Sequence, residues 1–362
     1  MKGPGEATML WTQDKVIRVL FWGGFSLVVS EILSIIGLTS CCCLSFLGLW
    51  GLTAGAYLYR ASLKVSPAGK AVVITGCDTG FGNALALRLH QLGFRVFALC
   101  LRSEGTGIQK LLDEKSKRLH VIQADVTKQD QLDRALLQVK SLLPVGEVVW
   151  GLVNNAGVCT IGPVEWISNE HFRKDPEVNL FGVIAATKTF LPLVRRARGR
   201  VVNVASVAGR FCAPLMAAYN ASKYAVEGFN DALRLEMRPW GVKVCLIEPG
   251  NFGSGTELFA REDAIKKEVD SMWSSLDEDL KSDYGEVGRK RVETFMKNIR
   301  SSGASDISPV ITAFTEALTQ QHPQTRYDPM DPLMYFTLFL ATHFPGWVYD
   351  SYFAFMVRLS KK

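Results

Sequence analysis

The stretch Ala71-Val72-Val73-Ile74-Thr75-Gly76-Cys77-Asp78-Thr79-Gly80-Phe81-Gly82-Asn83-Ala84-Leu85-Ala86-Leu87-Arg88-Leu89-His90-Gln91-Leu92 decides the fold. Residues 71–75 read as a short apolar strand, and 83–92 as a helix that Gly93 ends. Between them lies a Gly-x-x-x-Gly-x-Gly run. Glycine is needed there because the backbone must turn tightly and approach a pyrophosphate closely, while the following helix N-terminus offers N–H donors and a favourable dipole. A glycine-rich run alone is weak evidence; here it stands between a strand and a helix, as that chemistry requires. Gly76, Asp78, Gly80, Phe81 and Gly82 are therefore candidate cofactor contacts.

Outward from this point the pattern alternates. Residues 95–101, 119–124, 148–153, 200–205 and 242–248 read as strands, and 129–143, 178–196 and 217–237 as helices. Apolar strands separated by helices imply a parallel sheet covered on both faces. The expected fold is α/β, a doubly wound parallel sheet of Rossmann type, with no repeat of solenoid length.

Composition sets the limits. The chain has 362 residues, 48% hydrophobic and 21% charged, too apolar for a disordered tail. The net charge of +6 comes from scattered basic residues, so no nucleic-acid partner is expected; a weak preference for anionic lipid is the more modest inference. The eight cysteines form no CxxC pair and no zinc spacing, so no metal is expected and the cysteines read as reduced.

Glu31 is the only charged residue from Val19 to Tyr59. Residues 1–65 are accordingly read as a membrane anchor of one or two spans. In the hairpin version the turn falls near residues 37–40, with Trp22, Trp50, Tyr57 and Tyr59 at interfaces. A cleaved signal peptide and a mitochondrial presequence both fit poorly, the first because the run is too long, the second because Glu6 and Asp14 precede it. Ser66-Pro67-Ala68-Gly69 reads as a linker into a catalytic domain over 70–345. Residues 251–307 are charged and helical in pattern, and are read as a substrate lid; a solvated insertion is the alternative. The tail over 334–362 is dense in aromatics. It is either a second lipid contact or a packed helical edge.

The chemistry lies between these. Asp125-Val126 closes the third strand, where a carboxylate either reaches an adenine amine or caps the next helix. Asn154-Asn155-Ala156-Gly157 follows the fourth strand and places small residues and amides where a ribose would lie. Tyr219 and Lys223 are four apart on a helix and share a face. An ordinary phenol, with a pKa of about 10, is a poor proton acceptor near neutrality; a neighbouring ammonium favours the phenolate. Ser206, at the end of the fifth strand, is placed to hydrogen-bond a substrate oxygen.

Together these motifs resemble the short-chain dehydrogenase/reductase family. The glycine loop, Asn155-Ala156-Gly157, Asn179, Ser206, Tyr219 with Lys223, and Pro249-Gly250 follow that family's order over about residues 70 to 345. The resemblance implies Tyr219 as catalytic acid/base, Lys223 as ribose ligand and tuner of the phenol, Ser206 as carbonyl-orienting group and Asn179 as support for a proton relay. Pro249 and Gly250 join the cofactor contacts. A narrower likeness is to the branch of retinol, hydroxysteroid and D-β-hydroxybutyrate dehydrogenases. Within it, Glu248-Pro249-Gly250-Asn251-Phe252 and Thr325-Arg326-Tyr327-Asp328-Pro329-Met330-Asp331 look most like the hydroxybutyrate enzymes. The branch implies a small alcohol/ketone pair, (R)-3-hydroxybutyrate and acetoacetate first, a retinoid or steroid second, with phospholipid as partner and a homo-oligomer. It points to the mitochondrial inner membrane, whereas the apolar N-terminus suggests the endoplasmic reticulum. NAD is the expected cofactor because Asp78 would repel a 2′-phosphate; Arg102, which would accept one, keeps NADP open. A carboxylate substrate asks for a cation, and Arg210 is a candidate. A silent nucleotide- or lipid-binding protein is the rival from another class; the complete Asn179, Ser206, Tyr219 and Lys223 set argues against it.

Overall fold

The computed structural model describes residues 11–256, 258 and 262–359. The first ten residues of the expected anchor, positions 257 and 259–261 of the expected lid, and the last three of the tail lie outside the described residues. A helical hairpin, α1 (Gln13–Ile35) and α2 (Cys42–Ser62), precedes the domain. The strands are β1 (Lys70–Thr75), β2 (Arg95–Cys100), β3 (Leu119–Gln123), β4 (Val148–Asn154), β5 (Arg200–Val204), β6 (Lys243–Ile247) and β7 (Arg326–Tyr327). The helices between them are α3 (Gly80–Gln91), α4 (Thr106–Asp113), α5 (Gln129–Leu142), α6 (Asn169–Pro176), α7 (Val183–Arg196), α8 (Ala217–Met237), α9 (Glu262–Ser274), α10 (Glu278–Ser301) and α11 (Ser308–Thr319). Beyond β7 come α12 (Pro332–His343) and α13 (Gly346–Leu359).

Among the described residues the sheet is parallel and runs β3-β2-β1-β4-β5-β6-β7. The chain winds outward from β1 to β3, then crosses back to β4. That reversal leaves a crevice at the carboxyl ends of β1 and β4, where ligands bind in this architecture. Both faces of the sheet are covered. Phe94, Val96, Val202, Ile247, Phe314 and Tyr327 belong to one core layer, and Val73, Phe97, Leu152, Phe190 and Val201 to the other. Each fully buried aliphatic or aromatic side chain of this kind contributes about 1.5–3 kcal/mol.

Several elements depart from expectation. The helix expected at 178–196 begins at Asn169 and passes through a π-helical stretch, Glu177–Gly182, before continuing as α7. Here Gly182 lies against Val126, and a Cβ on it would meet Val126 Cγ2 at 2.7 Å. The short β7 and the core helix α11 follow the expected lid and were not anticipated. The lid region itself forms α9 and α10, kinked at Gly285 (φ +59°). Ile265, Val269, Val292 and Met296 on these helices pack on Ile161 and Trp166, so the region owns a small core rather than lying solvated.

The hairpin turns after Ile36, with Gly37 in the left-handed region (φ +75°). Lys15–Ile35 and Cys42–Ser62 are long and apolar enough to cross a membrane; at 1.5 Å per residue each spans about 31 Å. Asn169–Arg196 also meets that criterion of length and composition, yet it packs within the domain against β4, β5 and α8. Trp50, expected at an interface, also joins the two helices. Its ring lies against Gly23 and its Nε1 donates to Val19 O (3.0 Å), locking the two helices together. The hairpin base is fastened to the domain. The fully buried Lys15 pairs with Glu316 (2.8 Å), Thr12 Oγ1 donates to Gln324, and Val65 N and Gln321 N exchange bonds with Thr319 O and Leu63 O. The stretch 66–69 is thus a short loop whose start is held to the domain.

Candidate active site

The glycine turn follows from crowding. Gly76 has φ +69°, and a Cβ on it would sit 2.7 Å from Ala156 Cα. Gly82 has ordinary helical geometry, yet a Cβ there would meet Gly76 O at 2.2 Å and Asn155 Nδ2 at 2.5 Å. Gly82 therefore does not line the cavity as expected; it lets α3 start hard against the loop. The loop is braced from β4. Asn155 Nδ2 donates to Thr75 O and Gly76 O (3.0 and 2.9 Å), and Thr75 Oγ1 accepts from the N–H groups of Asn155 and Ala156. Asn154 faces away, donating to Thr187 and Asn203 in the interior. Thr79 makes no side-chain cap on α3, which leaves the first-turn N–H groups pointing into the crevice.

A cavity of about 970 Å³ opens above this loop. Gly76, Asp78, Gly80, Phe81, Asp125, Val126, Asn155, Ala156, Gly157, Ser206, Tyr219, Lys223, Pro249 and Gly250 all line it. The crowding at Gly76, the uncapped start of α3 and the space above them fit a dinucleotide. Asp78 does more than face the cavity. Its carboxylate accepts from Leu101 N and Arg102 N, each at 2.9 Å, and so ties the loop to the end of β2. Asp125 lines the cavity and its Oδ1 accepts from Thr127 N and Thr127 Oγ1 in a local turn; it does not cap α5, whose N-cap position is Lys128.

Tyr219, Lys223, Asn179 and Ser206, from three separate elements, converge within this buried region. Lys223 Nζ donates to Val204 O (2.9 Å) and lies 5.6 Å from the Tyr219 ring centroid. Gly157 keeps the space beside it open, since a Cβ there would come within 3.3 Å of Asn179 Oδ1 and 3.8 Å of Lys223 Nζ. Asn179 does not line the cavity. It clamps the wall behind: Oδ1 accepts from Val158 N, and Nδ2 donates to Val158 O and Ser222 Oγ, all at 2.9 Å. Ser222 in turn donates to Tyr219 O (2.7 Å), so Asn179 holds the first turn of α8. The π-helical stretch turns Asn179 toward Val158, a placement such stretches often serve at functional sites.

The electrostatics correct one expectation. In this chain burial raises the Tyr219 phenol well above its ordinary value, with the thiol of Cys159 adding to it and a hydrogen bond from Ser206 opposing it. Burial also holds Lys223 down, to about 8, with Cys159, Asp175 and Glu227 pulling the other way. The ammonium alone does not create a phenolate. Arg210 also departs from expectation: it pairs with Glu248 (3.0 Å) and is not among the residues lining the cavity.

Sequence reasoning missed several walls. Phe211, Met216, Phe252, Leu258, Phe295, Ile299 and Met334 add apolar wall to the cavity, the Phe252 ring lying 5.8 Å from that of Phe81 of the glycine loop. The i,i+4 pair Phe295 and Ile299 on α10 was a readable signal; Met334, on α12, was not. The tail is a packed edge on its inner side. Tyr349 donates to Cys212 O (2.7 Å) and its ring lies 5.8 Å from Phe211, while Phe336, Phe339 and Trp347 stay exposed outside.

Residues 70–265 match the family described as short chain dehydrogenase. Mitochondrial D-beta-hydroxybutyrate dehydrogenase of Bos taurus is 45% identical over 300 residues, 82% of this chain and 87% of that protein. Retinol dehydrogenase 7 of Rattus norvegicus is 42% identical over 287 residues, 78% of this chain and 87% of that protein. The crystal structure of a short-chain dehydrogenase from Streptomyces avermitilis superposes with a TM-score of 0.60 at 26% identity, covering 81% of this chain and 96% of that one.

Proposed function

The chain belongs to the short chain dehydrogenase family, a nicotinamide-dependent oxidoreductase acting on CH–OH groups, and on that premise we propose that Tyr219 is the proton-transferring group of an NAD-dependent secondary-alcohol dehydrogenase. The observation that carries this reading is the convergence of Ser206, Tyr219 and Lys223 on one buried wall of a cavity whose other end is a glycine-turned helix start. Ser206 orients the substrate oxygen and Tyr219 exchanges its proton. Lys223 would hold the nicotinamide ribose, and the first turn of α3 the pyrophosphate. When bound, the nicotinamide supplies hydride transfer and a positive charge that favours the phenolate. Asn179 holds the segment of Val158 and, through Ser222, the start of α8, which supports its assignment as a catalytic-site residue. Asp78, lining the adenosine end, favours NAD by repelling a 2′-phosphate.

The substrate proposed on likeness is (R)-3-hydroxybutyrate, oxidised to acetoacetate; the support is the 45% identity to an enzyme of that name. A second reading, a retinoid or steroid alcohol, is favoured by a specific observation. Among the described residues the cavity wall includes Phe211, Met216, Phe252, Leu258, Phe295 and Met334, an apolar surface suited to such an alcohol, although Lys174 lines the same cavity. The hairpin would anchor the enzyme in a bilayer, with the exposed aromatics of α12 and α13 as a further phospholipid contact, and a homo-oligomer is proposed by family likeness. The name of the 45% identical relative suggests the mitochondrial membrane; the hairpin suggests the endoplasmic reticulum. The test is NAD reduction by the membrane-bound enzyme with (R)-3-hydroxybutyrate, retinol and estradiol side by side. Turnover of hydroxybutyrate alone supports the first reading, and turnover of the apolar alcohols alone replaces it with the second. Cofactor binding without turnover of any of the three alcohols, of which retinol is a primary one, overturns both.

A further inference from the structure

Behind the Tyr219–Lys223 wall lies a charged cluster that the proposed chemistry does not use. Glu227 and Asp231 continue the stripe of Tyr219 and Lys223 along α8, because side chains four apart share a helix face. Arg326, at the start of β7, reaches them all. Its Nη1 pairs with Glu227 Oε2 and, at 3.2 Å, with Glu248 Oε1; its Nη2 pairs with Asp231 Oδ2 at 2.9 Å. Arg210 meets Glu248 Oε1 from the other side at 3.0 Å. The side chains of Glu248 and Glu227 are only 3% and 10% exposed, whereas Arg326, Arg210 and Asp231 are partly exposed, so the two buried carboxylates are met by cations that come in from the surface.

The parts of the site meet on this cluster. Glu248 immediately precedes Pro249, whose carbonyl accepts from Ser206 Oγ (3.4 Å) and Val207 N (3.0 Å). Gly209, three residues after Ser206, lies flat on α8: a Cβ there would come within 3.0 Å of both Glu227 Cγ and Lys223 O. The turn after Ser206, helix α8 and the end of β6 follow one another along the chain, and Arg326 joins them from about 80 residues beyond β6.

We propose that Arg326 is a positioning residue for the reaction: its guanidinium locks α8 to the end of β6 and so sets where Tyr219 and Lys223 stand relative to Ser206 and the Pro249–Gly250 turn. The proposal rests on the reading of Tyr219 as acid/base. Its physical basis is charge and shape. Glu227 and Glu248 repel each other in a medium of low dielectric unless a cation lies between them. Arginine's rigid planar fork reaches several carboxylates at once, whereas a lysine is a single compact charge. Without the fork, α8 relaxes away from β6, and a displacement of about 1 Å costs on the order of 10²-fold in rate. Burial and Glu248 together raise the Glu227 carboxyl while Arg326 opposes them, so the guanidinium is what favours the ionised form of Glu227 beside Glu248. The charged and titratable groups facing Glu227 are Glu248 from β6, Arg326 from β7, Arg210 from the loop, and Lys223, Tyr224 and Asp231 from α8.

The test uses the full chain in phospholipid vesicles, with Arg326→Met, Arg326→Lys and the double variant Arg326→Met/Glu227→Gln. Arg326→Met is expected to lower kcat by at least about 10-fold, with KM for NAD and NADH fluorescence titrations little changed. Arg326→Lys, which restores charge but not the fork, should recover only part of that loss. The double variant, which also removes a repelling carboxylate, should turn over faster than Arg326→Met and lose its alkaline change in the pH profile of kcat. A folded Arg326→Met with wild-type kcat overturns the proposal, as does a double variant no faster than the single one. If Arg326→Met does not fold, Arg326→Lys and the double variant decide: wild-type kcat and pH profile in both overturn it. Retained activity in Tyr219→Phe is a separate outcome that sinks the acid/base reading itself.

Discussion

Replacing Tyr219 with phenylalanine removes one hydroxyl and little else. The residue is 6% exposed, and its ring lies 5.6 Å from Lys223 Nζ, a contact that phenylalanine retains. Burial keeps the phenol neutral in the chain alone, so the change deletes no charge from the resting site. What is lost structurally is a hydrogen bond with Ser206, worth about 1 kcal/mol net. The variant should therefore fold and bind NADH. What is lost chemically is the phenol beside Ser206. A general acid/base contributes about 10²–10⁴-fold, so kcat should fall by that factor, equivalent to about 2.7–5.5 kcal/mol in the barrier. The assay is NADH absorbance under saturating NAD and alcohol, with NADH fluorescence titration and a thermal melt on the same preparation. A folded, NADH-binding variant whose kcat stays within about threefold of wild type would refute the mechanism.

Three further outcomes follow from particular contacts. Because burial lowers Lys223 to about 8 from its ordinary 10.5, the unfolded chain binds a proton in that window that the folded chain does not. Lys223 alone would make stability rise with pH from about 8 to about 10.5, against the fall imposed above about 9 by the raised thiols of Cys77, Cys100, Cys159 and Cys245, so Lys223→Met should make stability fall more steeply with pH across that window in thermal melts; an unchanged slope in that variant would place the titration elsewhere. Lys15→Met breaks the buried pair with Glu316 and should destabilise the chain in detergent unfolding more than the paired change Lys15→Met/Glu316→Leu does. Equal losses in the two would show that the pair does not hold the hairpin base. Asp78→Ala should raise the NADP:NAD ratio of kcat/KM. It should also weaken both cofactors, since Leu101 N and Arg102 N lose their acceptor; a wild type that already prefers NADP would reverse the assignment and point to Arg102.

Much of this molecule is local, and for that reason legible along the chain. Strand and helix periods, the glycine turn after Thr75 and the four-residue spacing of Tyr219 and Lys223 depend on near neighbours, and each stands in the structure close to where the sequence places it. The apolar run from Val19 likewise announces one or two spans, because lipid-length hydrophobicity is a property of composition, and the folded chain makes two helices of it. What only the folded chain decides involves residues far apart in sequence. Gly82 reads as a phosphate-loop glycine but serves packing, since the atoms it would strike belong to Gly76 and Asn155. Arg210 reads as a substrate cation but is taken by Glu248. The wall built by Phe252, Phe295 and Met334 draws on three separate elements, and no spacing along the chain marks them as neighbours. The protonation of Tyr219 and Lys223 is also decided by tertiary structure: their spacing sets which groups meet, but burial, which exists only once the chain is folded, determines which charge states cost least.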